Sequence, residues 1–228
     1  MKHRFAVLDV LTVVITALIL AGAVWIAVRG PTGPLPMHFD INGRADRWGD
    51  RQELAGLIGF LGLMVAVVGG GMGIYAARSD DPARGRGLRV GQLLTLIVLG
   101  TLAPVVSLQI LWAAGQTGAV TFGGAVWPMA LTGLVSVVIG TFLGRVPPNV
   151  AVGVRTPWSL KSRLAWDRSN RLMGRLLFWS GLATLIAAPV APQPIGFWIA
   201  LAALLLSGLA AGFESWRVWR ADPERQPF

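Results

Sequence analysis

Long apolar runs alternate with short polar segments along the chain, and this pattern predicts its architecture. Most of the runs approach the roughly 20 residues that an α-helix needs to cross the hydrocarbon core of a bilayer. We therefore predict an all-α integral membrane protein with six transmembrane helices. The predicted spans cover about residues 5–28, 54–77, 90–113, 122–143, 176–190 and 195–213.

The polar segments between these runs divide the chain into three helical pairs. The segment 78–89 contains Pro82, Gly85 and Gly87, which we expect to prevent a helix there. The second apolar run is rich in glycine, a residue that lets neighbouring helices approach closely in lipid. The predicted pairs are residues 1–78 with an external loop, residues 79–143 in the centre, and residues 144–228 with a cytoplasmic loop.

Composition indicates lipid exposure and excludes several kinds of site. Only 14% of the residues are charged, against about 25% in a typical soluble domain. The formal net charge is +9, but the bases cluster beside apolar runs. Membrane topology and anionic lipid headgroups explain such a charge without direct nucleic-acid binding. The chain has no cysteine, which excludes disulfides and thiolate metal sites.

The basic residues also predict an orientation in the bilayer. Positively charged loops stay on the cytoplasmic side because they resist translocation. The loop 144–175 holds seven of the 20 Lys and Arg residues, whereas the polar loop 29–53 holds four. If the loop 144–175 is cytoplasmic and the loop 29–53 is external, both termini lie inside, and 16 of the 20 bases lie on the cytoplasmic side. We therefore predict a multi-pass protein of the bacterial cytoplasmic membrane.

The cytoplasmic loop contains signals for local structure. Thr156, Ser159 and Ser162 are candidate N-cap residues, because their hydroxyls can accept hydrogen bonds from free amides at a helix start. From about Ser162 a helix can run into the fifth span, with Trp166 as a contact at the membrane surface. Three arginines of this helix share one face at helical spacing and form a basic stripe. They are Arg168, Arg171 and Arg175.

Arg155 has a restricted position in the same loop, since Pro157 biases Thr156 toward extended backbone. A guanidinium held in this way binds carboxylate or phosphate in a bidentate manner that lysine does not reproduce. Its partner could be a lipid phosphate or an acidic patch on a cytoplasmic protein. We favour a partner within the chain, either Asp167 or Glu214.

The external loop is centred on a predicted turn at Asn42 and Gly43, two residues that tolerate positive φ. His38, Asp40 and Asp46 flank this turn, and arginines follow. Charges of both signs favour a compact, ion-paired loop that meets an extracellular partner. The same side chains could offer nitrogen and oxygen ligands to a divalent metal, but we predict neither a metal site nor a cofactor.

Both loops resemble segments of known families. The external loop resembles the characteristic block of the DUF1648 domain, and the cytoplasmic loop resembles the SdpI-family signature. The first resemblance rests on Pro36, His38, Phe39, Asp40, Gly43 and Asp46, with Asn42 inside the motif. The second rests on Gly153, Arg155, Thr156, Pro157, Trp158, Ser159, Leu160, Trp166, Asn170, Arg171 and Gly174. The family has a histidine where this chain has Asn170, an amide that cannot titrate.

The resemblance implies a six-helix, non-catalytic membrane protein of the SdpI family. The founding member of that family gives immunity to a secreted toxic peptide and recruits its own transcriptional repressor to the membrane. The motif residues would accordingly bind a peptide toxin outside and a repressor inside, and no nucleophile motif points to an enzyme. The alternative is a transporter or channel, whose mark would be charged residues at mid-membrane depth. Asp9 is the residue that approaches this depth.

Overall fold

The structure, a computed structural model, describes residues 6–40, 44–115, 126–149 and 152–226. Most of these residues are helical, and two short strands pair in a sheet. The elements are α1 (Val7–Arg29), β1 (Leu35–Phe39), β2 (Ala45–Gly49), α2 (Arg51–Met64), a π-helical segment (Val65–Gly70), α3 (Gly71–Ala77), α4 (Pro82–Ala114), α5 (Val126–Leu143), α6 (Pro157–Leu160), α7 (Arg163–Ala187) and α8 (Ile195–Ala221).

Within the described residues, five helices are long and apolar enough to cross a membrane. One of them joins α2, the π-helical segment and α3 without a break. Helix α7, which contains most of the predicted fifth span, is not among the five found in the described residues, because arginines occupy its first half. The five are Val7–Arg29, Arg51–Ala77, Arg84–Ala114, Val126–Leu143 and Ile195–Ala221.

The prediction of an all-α fold is incomplete, because a β-hairpin lies between α1 and α2. β1 and β2 pair antiparallel, with Leu35 opposite Gly49, and register shifts occur on both sides of His38. Leu35 and Pro36 are fully buried, so this end of the hairpin joins the apolar core. The strands escaped prediction because each has only five residues, and a proline interrupts the first.

Helices α4 and α8 extend beyond their predicted spans. Helix α4 begins at Pro82, and its first turn closes when Gly85 N donates to Asp81 O at 2.9 Å. The expectation that Pro82, Gly85 and Gly87 exclude a helix is therefore wrong. Proline is favourable in a first turn, where its missing N–H has no partner to lose, and each glycine costs only about 1 kcal/mol.

The chain forms two compact units, of which the first comprises Met1–Arg78 and Gly91–Ala125. Its glycine-rich second span packs closely against neighbours. A Cβ at Gly62 would lie 3.0 Å from a methyl of Ile19, and one at Gly73 would lie 2.5 Å from Asp9 Oδ1. The predicted packing role of glycine is confirmed at these positions. The core of this unit includes Ile19, Ile26, Leu35, Leu54, Ile58, Val65, Leu96 and Ala103.

The second unit comprises Ser79–Val90 and Val126–Phe228, with α5, α7 and α8 packed on one another. Two glycine pairs bring α5 close to α7, and the glycines on each helix are seven residues apart, or about two turns. A Cβ at Gly140 would lie only 2.7 Å from the carbonyl oxygen of Gly174. One at Gly133 would lie 2.9 Å from that of Gly181. This contact positions α7 and the polar loop that precedes it.

Candidate functional site

The polar segment 144–175 is called the basic loop below. Its residues before α7 fold back on the first turns of that helix. Gly153 makes the reversal with a φ of +137°, a backbone region that favours glycine. A Cβ at this position would lie 2.7 Å from the Trp166 ring and 2.9 Å from Asn170 Oδ1. Backbone conformation and available space therefore both require glycine here.

Trp166 lies beneath this reversal and is completely buried, with 0% of its surface exposed. Its indole N–H donates to the carbonyl oxygen of Val146 at 2.9 Å, a partner that a buried indole needs. The prediction that Trp166 lies at the membrane surface is therefore wrong. The sequence did not separate Trp166 from the exposed Leu164 two residues earlier, because only the folded loop brings the Val146 carbonyl within reach of the indole.

Asn170 joins the loop to α7 through both ends of its amide. Its Oδ1 accepts a hydrogen bond from Val154 N at 2.7 Å, and its Nδ2 donates to Trp166 O at 2.9 Å. Only 1% of Asn170 is exposed. Asn170 therefore supplies one acceptor and one donor inside the fold.

A reciprocal capping box holds the short helix α6, which begins at Pro157. Thr156 Oγ1 accepts from Ser159 N at 3.1 Å, while Ser159 Oγ accepts from Thr156 N at 3.0 Å. The Ser159 hydroxyl also donates to Val154 O at 2.7 Å, and that of Thr156 contacts the Ser215 hydroxyl on α8. Thr156 is thus confirmed as an N-cap, whereas Ser159 is the third residue of the helix.

Ser162 is the N-cap of α7, as predicted, and it connects the basic loop to the C-terminal segment. Its hydroxyl accepts from Ala165 N at 2.9 Å and donates to the buried carboxylate of Asp222. The adjacent Lys161 O accepts from Gln226 N at 2.8 Å. The predicted continuation from Ser162 into the fifth span is also confirmed, because α7 is unbroken from Arg163 to Ala187.

The expected intramolecular partners of Arg155 are bound elsewhere. Asp167 pairs with Arg163 at 3.8 Å, and Glu214 pairs with Arg217 at 2.8 Å. No carboxylate of the described chain lies within ion-pair distance of Arg155, which is exposed. The favoured intramolecular pairing is therefore wrong, and the guanidinium stays available to a ligand or a partner.

The predicted residues of the basic loop divide into an inner and an outer set. The inner set is buried or half-buried and makes the hydrogen bonds and close contacts just described. It consists of Gly153, Thr156, Trp166, Asn170 and Gly174. The outer set consists of Arg155, Pro157 and Arg171, with Trp158 half-buried beside them.

In the first unit, the hairpin brings His38 and Asp46 into contact. His38 Nδ1 and Asp46 Oδ1 are 2.6 Å apart, although they are eight residues apart in the sequence. Their side chains are 64% and 47% exposed, so the pair stands on the surface of the hairpin. An ion pair of 2.5 Å between Arg47 and Glu53, together with the N-cap Asp50, attaches the hairpin to α2.

The other motif residues complete the hairpin. Asp40 closes it, since its Oδ1 accepts from Arg44 N and its own N donates to Arg44 O, each at 2.8 Å. Phe39 is half-buried on β1. Asn42 and Gly43, with the predicted turn, lie outside the described residues. In the part of the chain that the structure describes, no three His, Cys, Asp or Glu residues form a group that could hold a metal ion.

A comparison with protein families finds a match for the part of the chain that contains the basic loop. Residues 145–213 match the SdpI/YfhL protein family. The SdpI/YfhL match therefore includes the inner and outer sets of the basic loop, all of α7 and most of α8. Together with five helices apolar enough to cross a bilayer, it indicates a multi-pass membrane protein. No curated protein and no solved structure matches the chain. The DUF1648 resemblance of the hairpin stays a prediction.

Sequence reasoning missed the partners that hold the basic loop from α8. Ser215 lies 59 residues after Thr156, and Asp222 lies 60 residues after Ser162. No local pattern relates positions so far apart. The available signal was the presence of polar residues in and just after an otherwise apolar helix, which is consistent with a buried hydrogen bond but does not identify its partner.

Proposed function

We propose that this chain is an SdpI-like membrane protein that gives immunity to a secreted antimicrobial peptide and recruits a cytoplasmic transcriptional repressor. The observation that carries the proposal is the match of residues 145–213 to the SdpI/YfhL family. This segment includes the basic loop, which internal hydrogen bonds hold in one arrangement. A loop ordered by internal hydrogen bonds presents its outer side chains at low entropic cost, as a binding surface requires.

In the proposed arrangement, the bilayer is crossed six times, and the C-terminal half of α7 supplies the fifth span. The basic loop and both termini are cytoplasmic, and the hairpin is external, because this orientation keeps most bases inside. Topology reporters test it. Fusions after Arg29, Gly115 and Pro192 should report an external position, and fusions after Lys161 and Arg220 an internal one. A reversed result at any two sites would contradict the arrangement.

On the external side, the hairpin is the proposed recognition surface for the peptide. Its exposed His38–Asp46 pair offers a hydrogen-bonding edge of defined geometry. Trp48 lies on the paired strand with 48% of its surface exposed, and exposed aromatic residues are common anchors of protein interfaces. The ion pair between Arg47 and Glu53 keeps this surface in place on α2.

On the cytoplasmic side, the outer set of the basic loop is the proposed docking surface for the repressor. Arg155 has no carboxylate partner in the described chain, so its guanidinium can bind an acidic group of another protein in a bidentate manner. The inner set supports this position from below, because Thr156 is fixed to both Ser159 and Ser215.

A protection assay tests the proposed function. Cells without an immunity protein, exposed to the purified toxic peptide that the founding family member resists, should survive when they express the full chain. His38→Ala and Asp46→Ala should abolish protection while membrane levels stay normal. The matched control Arg44→Ala, at an exposed neighbouring position, should retain it. Survival no better than that of cells with an empty vector would overturn the proposal.

Transport of a small solute or ion is a second candidate, favoured by a polar cluster in the first unit. Gln92, with 0% exposed surface, donates from Nε2 to Asp9 Oδ1 and to Thr12 Oγ1, each at 3.0 Å. All three residues lie in apolar helices and line a cavity of about 780 Å³. Asp9 also accepts from Ala6 N at 3.0 Å in the first turn of α1, and an ionisable residue within a membrane helix is a candidate functional site. Ion flux in proteoliposomes that Asp9→Asn abolishes would favour transport over immunity.

A further inference from the structure

A groove of about 840 Å³ in the second unit runs beside the contact between α5 and α7. Its walls combine the basic stripe of α7 with an apolar region that begins one turn later. The residues that decide its chemistry are Arg145, Arg168, Arg171, Arg175, Phe178 and Trp179.

The basic end of the groove carries charge that the described chain does not balance. The four arginines are exposed, and no carboxylate of the described chain lies within ion-pair distance of any of them. Glu214 also lines the groove and attracts Arg168 electrostatically, but Arg217 already binds both of its oxygens, at 2.8 and 2.9 Å. From Arg168 to Arg175 the stripe extends about 10 Å along the helix, at about 1.5 Å per residue. This end therefore attracts an anion.

The other end of the groove is apolar. Phe178 and Trp179 follow the last arginine by three and four residues, and their rings meet edge to face with centroids 5.2 Å apart. Trp179 is 65% exposed. On the facing helix, Gly140 has no side chain to fill the groove, and Thr141 lies beside it. The groove thus changes from basic to apolar within about one helical turn, which matches an amphiphile with an anionic head.

We propose that this groove binds one anionic phospholipid. The lipid phosphate lies between Arg171 and Arg175, whose guanidinium groups can bind its oxygens. Arg171 donates from Nε to Asp167 O at 3.0 Å, so its terminal Nη groups face the phosphate in this proposal. One acyl chain follows Phe178 and Trp179 toward the apolar body of the helices. A soluble anion would use only the basic end, whereas a phospholipid uses both ends, which is why we assign the groove to a lipid. The groove shares Arg171 with the outer set of the basic loop, but the assignment does not depend on immunity or repressor binding.

Native mass spectrometry of the purified full-length protein in neutral detergent, titrated with phosphatidylglycerol, tests the proposal. The double variant Arg171→Gln/Arg175→Gln should bind this lipid more than tenfold more weakly, at about fivefold for each arginine near a headgroup. The matched control is Arg84→Gln/Arg86→Gln, which removes the same charge from exposed positions outside the groove. We expect the control to change the affinity by less than about twofold.

Further arms separate a lipid site from its alternatives. Trp179→Ala removes apolar wall without changing charge and should weaken phosphatidylglycerol binding several-fold, while phosphatidylcholine should bind much more weakly than phosphatidylglycerol to the unaltered protein. Equal losses in the groove and control double variants would overturn the proposal. So would complete displacement by millimolar inorganic phosphate together with no effect of Trp179→Ala, because that result describes a soluble-anion site. If circular dichroism shows that the groove double variant is unfolded, the single variants Arg145→Gln and Arg86→Gln replace the two double variants. Equal losses of phosphatidylglycerol affinity in these two variants would then overturn the proposal.

Discussion

Replacing Asn170 by alanine removes the residue that connects the basic loop to α7. In the native chain Asn170 accepts from Val154 N at 2.7 Å and donates to Trp166 O at 2.9 Å. The alanine methyl can do neither. Asn170→Asp is the isosteric companion, since it keeps an acceptor for Val154 but places a second oxygen against the Trp166 carbonyl, where a donor is required.

The expected cost follows from these two contacts. Each hydrogen bond contributes about 1 kcal/mol net, and a buried amide left without an acceptor costs about 1–3 kcal/mol. Because Asn170 is 1% exposed, water does not replace it readily. We expect Asn170→Ala to lower the free energy of unfolding by about 2–4 kcal/mol. Asn170→Asp should cost at least as much, because it adds a buried negative charge opposite a carbonyl oxygen.

Two measurements on the full-length protein check this expectation. Unfolding in mixed micelles, followed by far-ultraviolet circular dichroism, gives the change in stability. Limited trypsin digestion with peptide mapping gives the accessibility of the bonds after Arg155 and Lys161, which should rise when the loop loses its anchor. The control is Leu164→Ala, six residues earlier on α7 but 41% exposed, for which we expect a change within about 0.5 kcal/mol. Equal stability and equal cleavage in Asn170→Ala and Leu164→Ala would refute the reasoning.

Two further predictions concern the glycine contact and the exposed guanidinium. Gly140→Ala places a Cβ 2.5 Å from Phe178 N and should cost about 1–3 kcal/mol of stability through overpacking. Gly208→Ala, where a Cβ meets nothing within 4 Å, should be neutral or slightly stabilising, and similar unfolding curves for the two variants would contradict the close approach. Arg155→Lys should leave tryptic protection of the basic loop unchanged, because no carboxylate of the described chain holds Arg155. The same change should reduce membrane recruitment of the repressor that the founding family member binds, measured by cell fractionation, and undiminished recruitment would remove Arg155 from the docking surface.

The sequence by itself determined the features that arise within a single segment. Apolar runs of membrane-spanning length predicted the five candidate membrane helices found in the described residues, because helix formation in lipid depends on local composition. Hydroxyl residues before a helix start predicted the caps at Thr156 and Ser162, since a cap satisfies amides only two or three positions away. The glycine-rich second span correctly indicated close packing at Gly62 and Gly73.

Local signals failed where the outcome depended on a more distant contact. Pro82, Gly85 and Gly87 suggested a loop, but they occupy the first two turns of α4, where Pro82 at the first position loses no hydrogen bond. The hairpin was missed because its strands are short, and its stability depends on Leu35 entering the core and on Arg47 reaching Glu53. A short two-stranded hairpin is marginal without such packing.

The candidate site shows the same division more sharply. The sequence selected Gly153, Trp166 and Asn170 as one motif, but it did not show that they contact one another inside the fold. It also predicted a carboxylate partner for Arg155, although both candidates pair with nearer arginines on their own helices. Only the tertiary structure decided that Ser215 and Asp222 hold the loop, and that four arginines share a groove with Phe178 and Trp179. The physical reason is that hydrogen-bond partners and groove walls are set by distances between helices, which residue patterns along one segment do not encode.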